Sequence, residues 1–148
     1  MTTPTNPADA ALFDAVTTEH GTIYGYGVVS AHTTPEVNAL VADALAVHRA
    51  NREAGIAALI ARSAPTPLPA AGYQMPTAMD SPDAAAKDAV RMEENAATAW
   101  RAVAEQATAG PDRALAVRAL TDVAVLAARW RQVTGQTPVT AAFPGGTE

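Results

Sequence analysis

The sequence contains no cysteine, and this absence alone excludes several kinds of chemistry. Disulfides, thiolate metal ligands and cysteine nucleophiles all require that residue. Aromatic residues make up only 5% of the 148 positions, too few for a platform that stacks nucleic-acid bases. The three serines lie near predicted helix ends or in a loop, and no Walker or dinucleotide-binding motif is present. The sequence therefore identifies no catalytic residue.

Basic residues and long apolar runs are also scarce. The chain has 10 Lys and Arg against 15 Asp and Glu, a formal net charge of −5, which argues against binding nucleic acid through its phosphates. No apolar run is long enough to cross a membrane, and the N-terminus lacks the basic and apolar regions of a signal peptide. With the missing cysteine, these features favour a cytoplasmic protein that contacts neither nucleic acid nor membrane.

Alanine is abundant, with 37 residues, and 49% of the chain is hydrophobic. Because alanine is the strongest helix former, this composition favours closely packed helices. The length and apolar content predict a single domain over residues 1–148. Residues 1–7 and 136–148 are predicted to be flexible or loosely packed ends.

Prolines mark the predicted helix starts. Four times, a residue that can begin a helix precedes a proline, and an acidic residue follows in the first turn, as is typical of helix N-termini. The four pairs are Asn6-Pro7, Thr34-Pro35, Ser81-Pro82 and Gly110-Pro111. With the helical spacing of apolar residues, they predict helices over 8–31, 35–62, 82–109 and 111–134, the last ended by Gly135.

The connections between the predicted helices determine the topology. The first and third links are short, which favours antiparallel neighbours. Residues 63–81 are proline-rich and lack a helical period. When extended they reach about 60 Å, more than the roughly 40 Å length of a 27-residue helix. The predicted fold is therefore all-α, a ferritin-like four-helix bundle of two antiparallel hairpins joined by a long crossover at 63–81.

A charged or ionisable residue interrupts the apolar stripe of each predicted helix: Glu19, His48, Glu93 and Asp122. Burying such a group costs several kcal/mol unless it is paired or binds a metal. Counted from the first turn, Glu19 and His48 lie at the same height. Asp122 is offset by about 7 Å from the level of Glu93. The pattern predicts that these side chains meet one another or a ligand.

Segments on all four helices carry a resemblance to a known family. They are EHGTIYGYGVV (19–29), HRANRE (48–53), RMEENAATAW (91–100) and ALTDVAVLAARWR (119–131), with TAAFPGG (140–146) in the tail. Over nearly the whole chain, the sequence resembles an uncharacterised ferritin-like family of actinobacteria. The resemblance implies the same four-helix fold and brings no established activity.

Ferritin-like di-iron proteins use one Glu on each of two helices and Glu-x-x-His on the other two. By resemblance, Glu19 and Glu93 (or Glu94) match the lone glutamates. His48 matches a histidine, but Leu45 occupies its Glu position. The fourth helix has Asp122 at the Glu position and no histidine. The leading hypothesis is therefore one divalent metal, Fe, Mn or Zn, held by Glu19, His48, Glu93 and Asp122.

Two alternatives remain open from the sequence. In the first, the four core residues form a metal-free ion network in an interaction or oligomerisation module, such as a homodimer. Nearby arginines would supply bidentate partners; they are Arg49, Arg52, Arg91 and Arg129. In the second, a pocket between the helices binds a small molecule.

Overall fold

The computed structural model describes residues 2–75 and 78–147, and this part of the chain is all-helical, with no strand. The four helices are α1 Pro7–Ser30, α2 Asn38–Ala61, α3 Pro82–Gln106 and α4 Gly110–Thr134. Each bound lies within three residues of its predicted position. The predicted crossover and the two predicted ends include residues 1, 76, 77 and 148, which lie outside the described residues.

Two helix starts carry the side-chain cap that their sequence predicts. The Asn6 side chain accepts hydrogen bonds from the backbone N–H groups of Ala8, at 2.9 Å, and Asp9, at 3.3 Å. The Ser81 hydroxyl accepts one from the N–H of Ala84 at 3.1 Å. These bonds satisfy N–H groups that have no partner within the helix.

The other two starts lack a side-chain cap. At Thr34 the proline pattern begins a 3-10 helix, Pro35–Val37, and α2 follows directly at Asn38. Such a tighter turn is common at the start of an α-helix. α4 begins after Ala109 and ends at Gly135, whose φ of +71° favours glycine.

Two large apolar clusters fill the two ends of the bundle, and a third, small one contains Ala96, Ala97 and Val123 of α3 and α4. The first joins the end of α1, the start of α2, the start of α3 and the end of α4; it includes Val29, Leu40, Ala86, Leu126 and Trp130. The second joins the opposite ends and includes Leu12, Leu59, Val103 and Leu115. All four helices therefore contribute to both clusters.

The connection after α2 packs along α1. Its Tyr73 ring lies 5.2 Å from the ring of Tyr24, centroid to centroid, and close to Gly21. The imidazole Nε2 of His20 lies 3.3 Å from the carbonyl oxygen of Pro67. These contacts cover an outer face of α1 with the long connection.

The C-terminal residues return across α3 and α4. The Arg131 guanidinium donates a hydrogen bond to the carbonyl of Val139 at 3.1 Å. Gly145 lies so close to α3 that a Cβ placed there would be 2.5 Å from the carbonyl oxygen of Ala97. Among the described residues, no helix has an apolar stretch long enough to span a bilayer.

Two glycines provide a test of how closely the helices pack. A Cβ added at Gly55 would lie 2.6 Å from Cγ2 of Val16, a stiff branched side chain, whereas one at Gly27 meets nothing within 4 Å. We expect Gly55→Ala to lower the free energy of unfolding by about 1–2 kcal/mol, because overpacking outweighs the gain in helix propensity. Gly27→Ala should raise it by about 0.5–1 kcal/mol.

Urea unfolding followed by circular dichroism measures both variants against the wild type. The prediction is wrong if Gly55→Ala stabilises the protein as much as Gly27→Ala does.

Candidate functional site

Three of the four predicted core residues meet between the two apolar clusters. Nδ1 of His48 lies 2.6 Å from a Glu19 carboxylate oxygen, and Nε2 lies 3.0 Å from one of Glu93. All three side chains are completely buried. A neutral imidazole carries one N–H, so donation at both nitrogens requires the imidazolium form. The geometry therefore describes one cation held between two carboxylates.

Two aromatic side chains complete this arrangement. The Tyr26 hydroxyl donates to Glu93, and the Trp100 indole N–H donates to Glu19 at 2.6 Å. Tyr26 belongs to the first apolar cluster and Trp100 to the second. We call Glu19, Tyr26, His48, Glu93 and Trp100 the core cluster; it forms a polar layer with an aromatic donor on each side.

The donors are arranged reciprocally between α1 and α3. Tyr26 follows Glu19 by seven residues, and Trp100 follows Glu93 by seven; this spacing of about two turns places both members on one helix face. Each aromatic donates to the glutamate of the other helix. Tyr26 and Trp100 were not among the predicted site residues, but the repeated spacing is a signal that would have identified them.

Charge and burial determine whether His48 and Tyr26 of the core cluster carry their protons. Burial alone would lower the pKa of His48, but the hydrogen bonds to Glu19 and Glu93, together with their charges, raise the pKa to about 10. Burial, then the charge and hydrogen bond of Glu93, raise the pKa of Tyr26 well above its usual value. At neutral pH, His48 is therefore charged and the Tyr26 hydroxyl keeps its proton.

Asp122 does not join the core cluster. It is half-buried on α4, and none of the cluster's hydrogen bonds involves it. The next residue, Val123, is fully buried and packs against Ala96 and Ala97 of α3. Asp122 is one position earlier, and one residue turns a helical side chain by about 100°. The fourth helix thus contributes an apolar side chain at this position.

The predicted arginines do not contact the core carboxylates. Arg49 is exposed, and the other three pair with different acids: Arg52 with Glu53, Arg91 with Asp88 and Arg129 with Asp43. Histidine, tyrosine and tryptophan supply the donors that arginines would supply in the predicted ion network.

As they are arranged, the side chains of Glu19, His48 and Glu93 do not fit a metal ion. Both ring nitrogens of His48 face carboxylates, and each carboxylate also accepts from an aromatic donor. A metal ligand must be deprotonated and must present a free lone pair. Across residues 2–75 and 78–147, no group of three or more His, Asp or Glu side chains has the arrangement of a metal site.

A groove lies outside the bundle core. It has a volume of about 1210 Å³ and is bounded by α3, α4 and the C-terminal residues. Its lining includes Ala97, Ala124, Val125 and Phe143. The groove therefore lies on the surface and is distinct from the pocket between the helices that the sequence leaves open as an alternative.

Comparison with known proteins assigns the family. A family model described as a domain of unknown function, DUF4439, matches residues 11–148. The chain belongs to the DUF4439 family. It is also similar to a crystal structure of a conserved hypothetical protein, rv2844, from Mycobacterium tuberculosis, with 54% identity and a TM-score of 0.85. That match covers 93% of this chain and 97% of the other. No curated protein matches this DUF4439 chain.

Two buried tryptophans test the contribution of the hydrogen bonds. Trp100 and Trp130 are both fully buried, but the indole N–H of Trp100 donates to a charged carboxylate of Glu19, whereas that of Trp130 faces the neutral hydroxyl of Tyr26. We expect Trp100→Phe to lower the free energy of unfolding by about 2 kcal/mol more than Trp130→Phe. The reason is that only the first leaves a buried carboxylate oxygen of Glu19 without its donor. Equal losses, measured by denaturant unfolding, would contradict a role for the indole N–H.

Protonation of His48 should make stability depend on pH. The pKa is 6.5 in the unfolded reference and about 10 in the folded chain. The stabilisation is therefore complete below pH 6.5 and is lost as pH rises towards 10. We expect the free energy of unfolding to fall by about 1.4 kcal/mol per pH unit within this window.

Urea unfolding at several pH values measures the slope, and ¹⁵N NMR of the ring shows whether both His48 nitrogens keep their protons. Exposed His32 provides an internal comparison in the same spectra. A ring that loses a proton near pH 6.5 would disprove the assignment.

Proposed function

We propose that this DUF4439 chain is a ferritin-like bundle that works without a metal, as an interaction or oligomerisation module. In this proposal α1 with α2, and α3 with α4, form two antiparallel hairpins. The distribution of the apolar clusters supports it, because the start of α3 packs near the end of α1. The connection that packs along α1 fits the long crossover of that arrangement.

One observation carries the proposal that no metal is needed. Both nitrogens of His48 are committed to carboxylates, at 2.6 and 3.0 Å. The imidazolium thus supplies the positive charge between Glu19 and Glu93 that a metal ion would otherwise supply. Tyr26 and Trp100 satisfy further lone pairs of the same carboxylates. The chain contains its own counter-ion.

The role of the core cluster in this proposal is to fix the arrangement of the helices. A buried ion pair often adds little stability over an apolar core, but breaking one leaves a costly unpaired charge. If α2 shifted by one residue against α1 and α3, His48 would turn away by about 100°. Glu19 and Glu93 would then lie buried without a cation. The cluster therefore penalises wrong helix registers, which keeps the outer surface of the module constant.

A second candidate function is binding of one divalent metal at the same place. The observation in its favour is that Glu19, His48 and Glu93 converge from three helices. Imidazole with carboxylates suits Fe, Mn or Zn. The two candidates differ at Nε2 of His48, which can donate a proton to Glu93 or bind a metal but cannot do both, whereas Nδ1 can donate to Glu19 in either case.

Elemental analysis distinguishes the two candidates. The protein is purified without chelator or affinity tag, then loaded anaerobically with Fe(II), Mn(II) or Zn(II). We expect no stoichiometric metal, and His48 ring ¹⁵N resonances that do not change on loading. His32→Ala, at an exposed histidine, is the control for His48→Ala. About one metal per chain, retained in His32→Ala and lost in His48→Ala, would overturn the metal-free proposal.

A further inference from the structure

Two glycines on α1 receive side chains from the connection after α2. Gly21 and Gly25 are four residues apart, so they lie on one face of the helix. A Cβ added at Gly21 would lie 3.5 Å from the ring of Tyr73, and one added at Gly25 would lie 3.7 Å from Cε of Met75. The connection therefore rests against the α1 backbone through one aromatic ring and one methionine methyl group.

Met75 is also the outer member of a pair of methionines. The same Cβ added at Gly25 would collide with the sulfur of Met92 and would lie 3.4 Å from its Cε. Met92 lies on α3 and is only 4% exposed, whereas Met75 is half-buried. The two side chains thus meet at Gly25, and solvent reaches mainly the one on the connection.

This pair of methionines adjoins the core cluster. Gly25 immediately precedes Tyr26, and Met92 immediately precedes Glu93, the residue to which Tyr26 donates its hydrogen bond. Met92 and Tyr26 also belong to the same apolar cluster. A change at Met75 is therefore separated from the packing beside the core cluster by one side chain, that of Met92.

The thioether of Met75 supplies a group that a hydroperoxide can oxidise. A lone pair of the sulfur attacks one oxygen of hydrogen peroxide, the O–O bond breaks, and the proton of the attacked oxygen passes to the departing hydroxide. The sulfur loses two electrons and becomes a sulfoxide, and the peroxide is reduced to water. The sulfoxide is polar, so it favours solvent over the apolar contact with Met92.

We propose that Met75 is an oxidation site whose reaction with a hydroperoxide releases the connection after α2 from α1. The thioether holds the connection against Gly25, and the sulfoxide turns it towards solvent. Release uncovers Met92, which becomes the second methionine to react. Methionine sulfoxide reductases restore the thioether, so the release is reversible.

The inference goes beyond the proposed function and does not depend on whether the core cluster binds a metal. In the reduced chain, the outer face of α1 is covered by the connection. In the oxidised chain, the face that contains Gly21 and Gly25 is open. Oxidation of one side chain thus changes the surface that the protein presents to a partner.

Chymotrypsin measures the release, because it cuts after large apolar residues but not before proline. In the connection, Leu68 and Met75 are each followed by proline, whereas Tyr73 is followed by Gln74. The Tyr73–Gln74 bond is therefore the main site of cleavage there. Treatment with hydrogen peroxide, removed afterwards with catalase, should raise the rate of cleavage at this bond about tenfold, since proteolysis follows the population of the open segment.

Three variants assign this response to one side chain. Met75→Leu keeps the apolar packing without a thioether, so its cleavage should stay slow after peroxide. Met75→Gln places a polar group at the same position and should be cut fast without peroxide. Met79→Leu is the matched control, because Met79 is the other half-buried methionine of the connection and packs against the first apolar cluster. Equal responses of Met75→Leu and the wild type would overturn the proposal.

The order of oxidation tests the proposal on the wild type itself. Mass spectrometry of the intact chain with fragmentation should show Met75 sulfoxide first, and Met92 sulfoxide only in molecules that already carry the first. In Met75→Gln, Met92 should oxidise without a lag. Molecules in which Met92 is oxidised and Met75 is intact would contradict the proposal. Treatment with sulfoxide reductases should return the cleavage rate to its starting value.

Metal analysis of the same samples keeps the two proposals apart. Release that depends on Met75 in a chain with bound metal supports this inference and overturns only the metal-free function. A metal-free chain whose connection peroxide does not release overturns only this inference.

Discussion

One imidazolium between two buried carboxylates is the interaction on which the rest of this structure depends. Without the positive charge of His48, the bundle would enclose Glu19 and Glu93 with no cation between them. Water cannot screen these charges, so the attraction and the desolvation penalty are both large. The core is stable only when α1, α2 and α3 present all three groups at one height.

The surrounding packing follows from this requirement. The polar layer separates two apolar clusters, and each cluster sends one aromatic donor into it, Tyr26 from one side and Trp100 from the other. The exchange of hydrogen bonds between α1 and α3 is symmetric, whereas α2 and α4 differ, with His48 on one and Val123 on the other. The α1–α3 pair is thus symmetric in its hydrogen bonds and the α2–α4 pair is not, and the single histidine provides the single cation.

The four helices were predictable from the sequence because their signals are local. Proline with an acidic first turn marks the starts of α1, α3 and α4 and, ahead of α2, the 3-10 helix that precedes it. A cap side chain such as Asn6 depends only on its immediate neighbours. Glu19 and His48 were also paired correctly by height, since a short turn fixes the register of the helices that it joins. Asp122 was not predictable in the same way, because the rotation of α4 depends on packing that distant residues decide. The partners of the carboxylates were missed for a similar reason: they come from other helices, and aromatic residues at helical spacing are most often simple core residues.

The protonated state of His48 makes the folding of this chain a reaction that consumes a proton. Between pH 6.5 and about 10 the unfolded ring is neutral and the folded ring is charged, so each molecule that folds takes a hydrogen ion from the solvent. The heat of folding then includes the ionisation heat of the buffer that supplies this ion. Calorimetry in phosphate and in Tris would therefore give different apparent enthalpies for the same structural change. The difference, divided by the difference in ionisation heat between the two buffers, gives the number of protons taken up on folding.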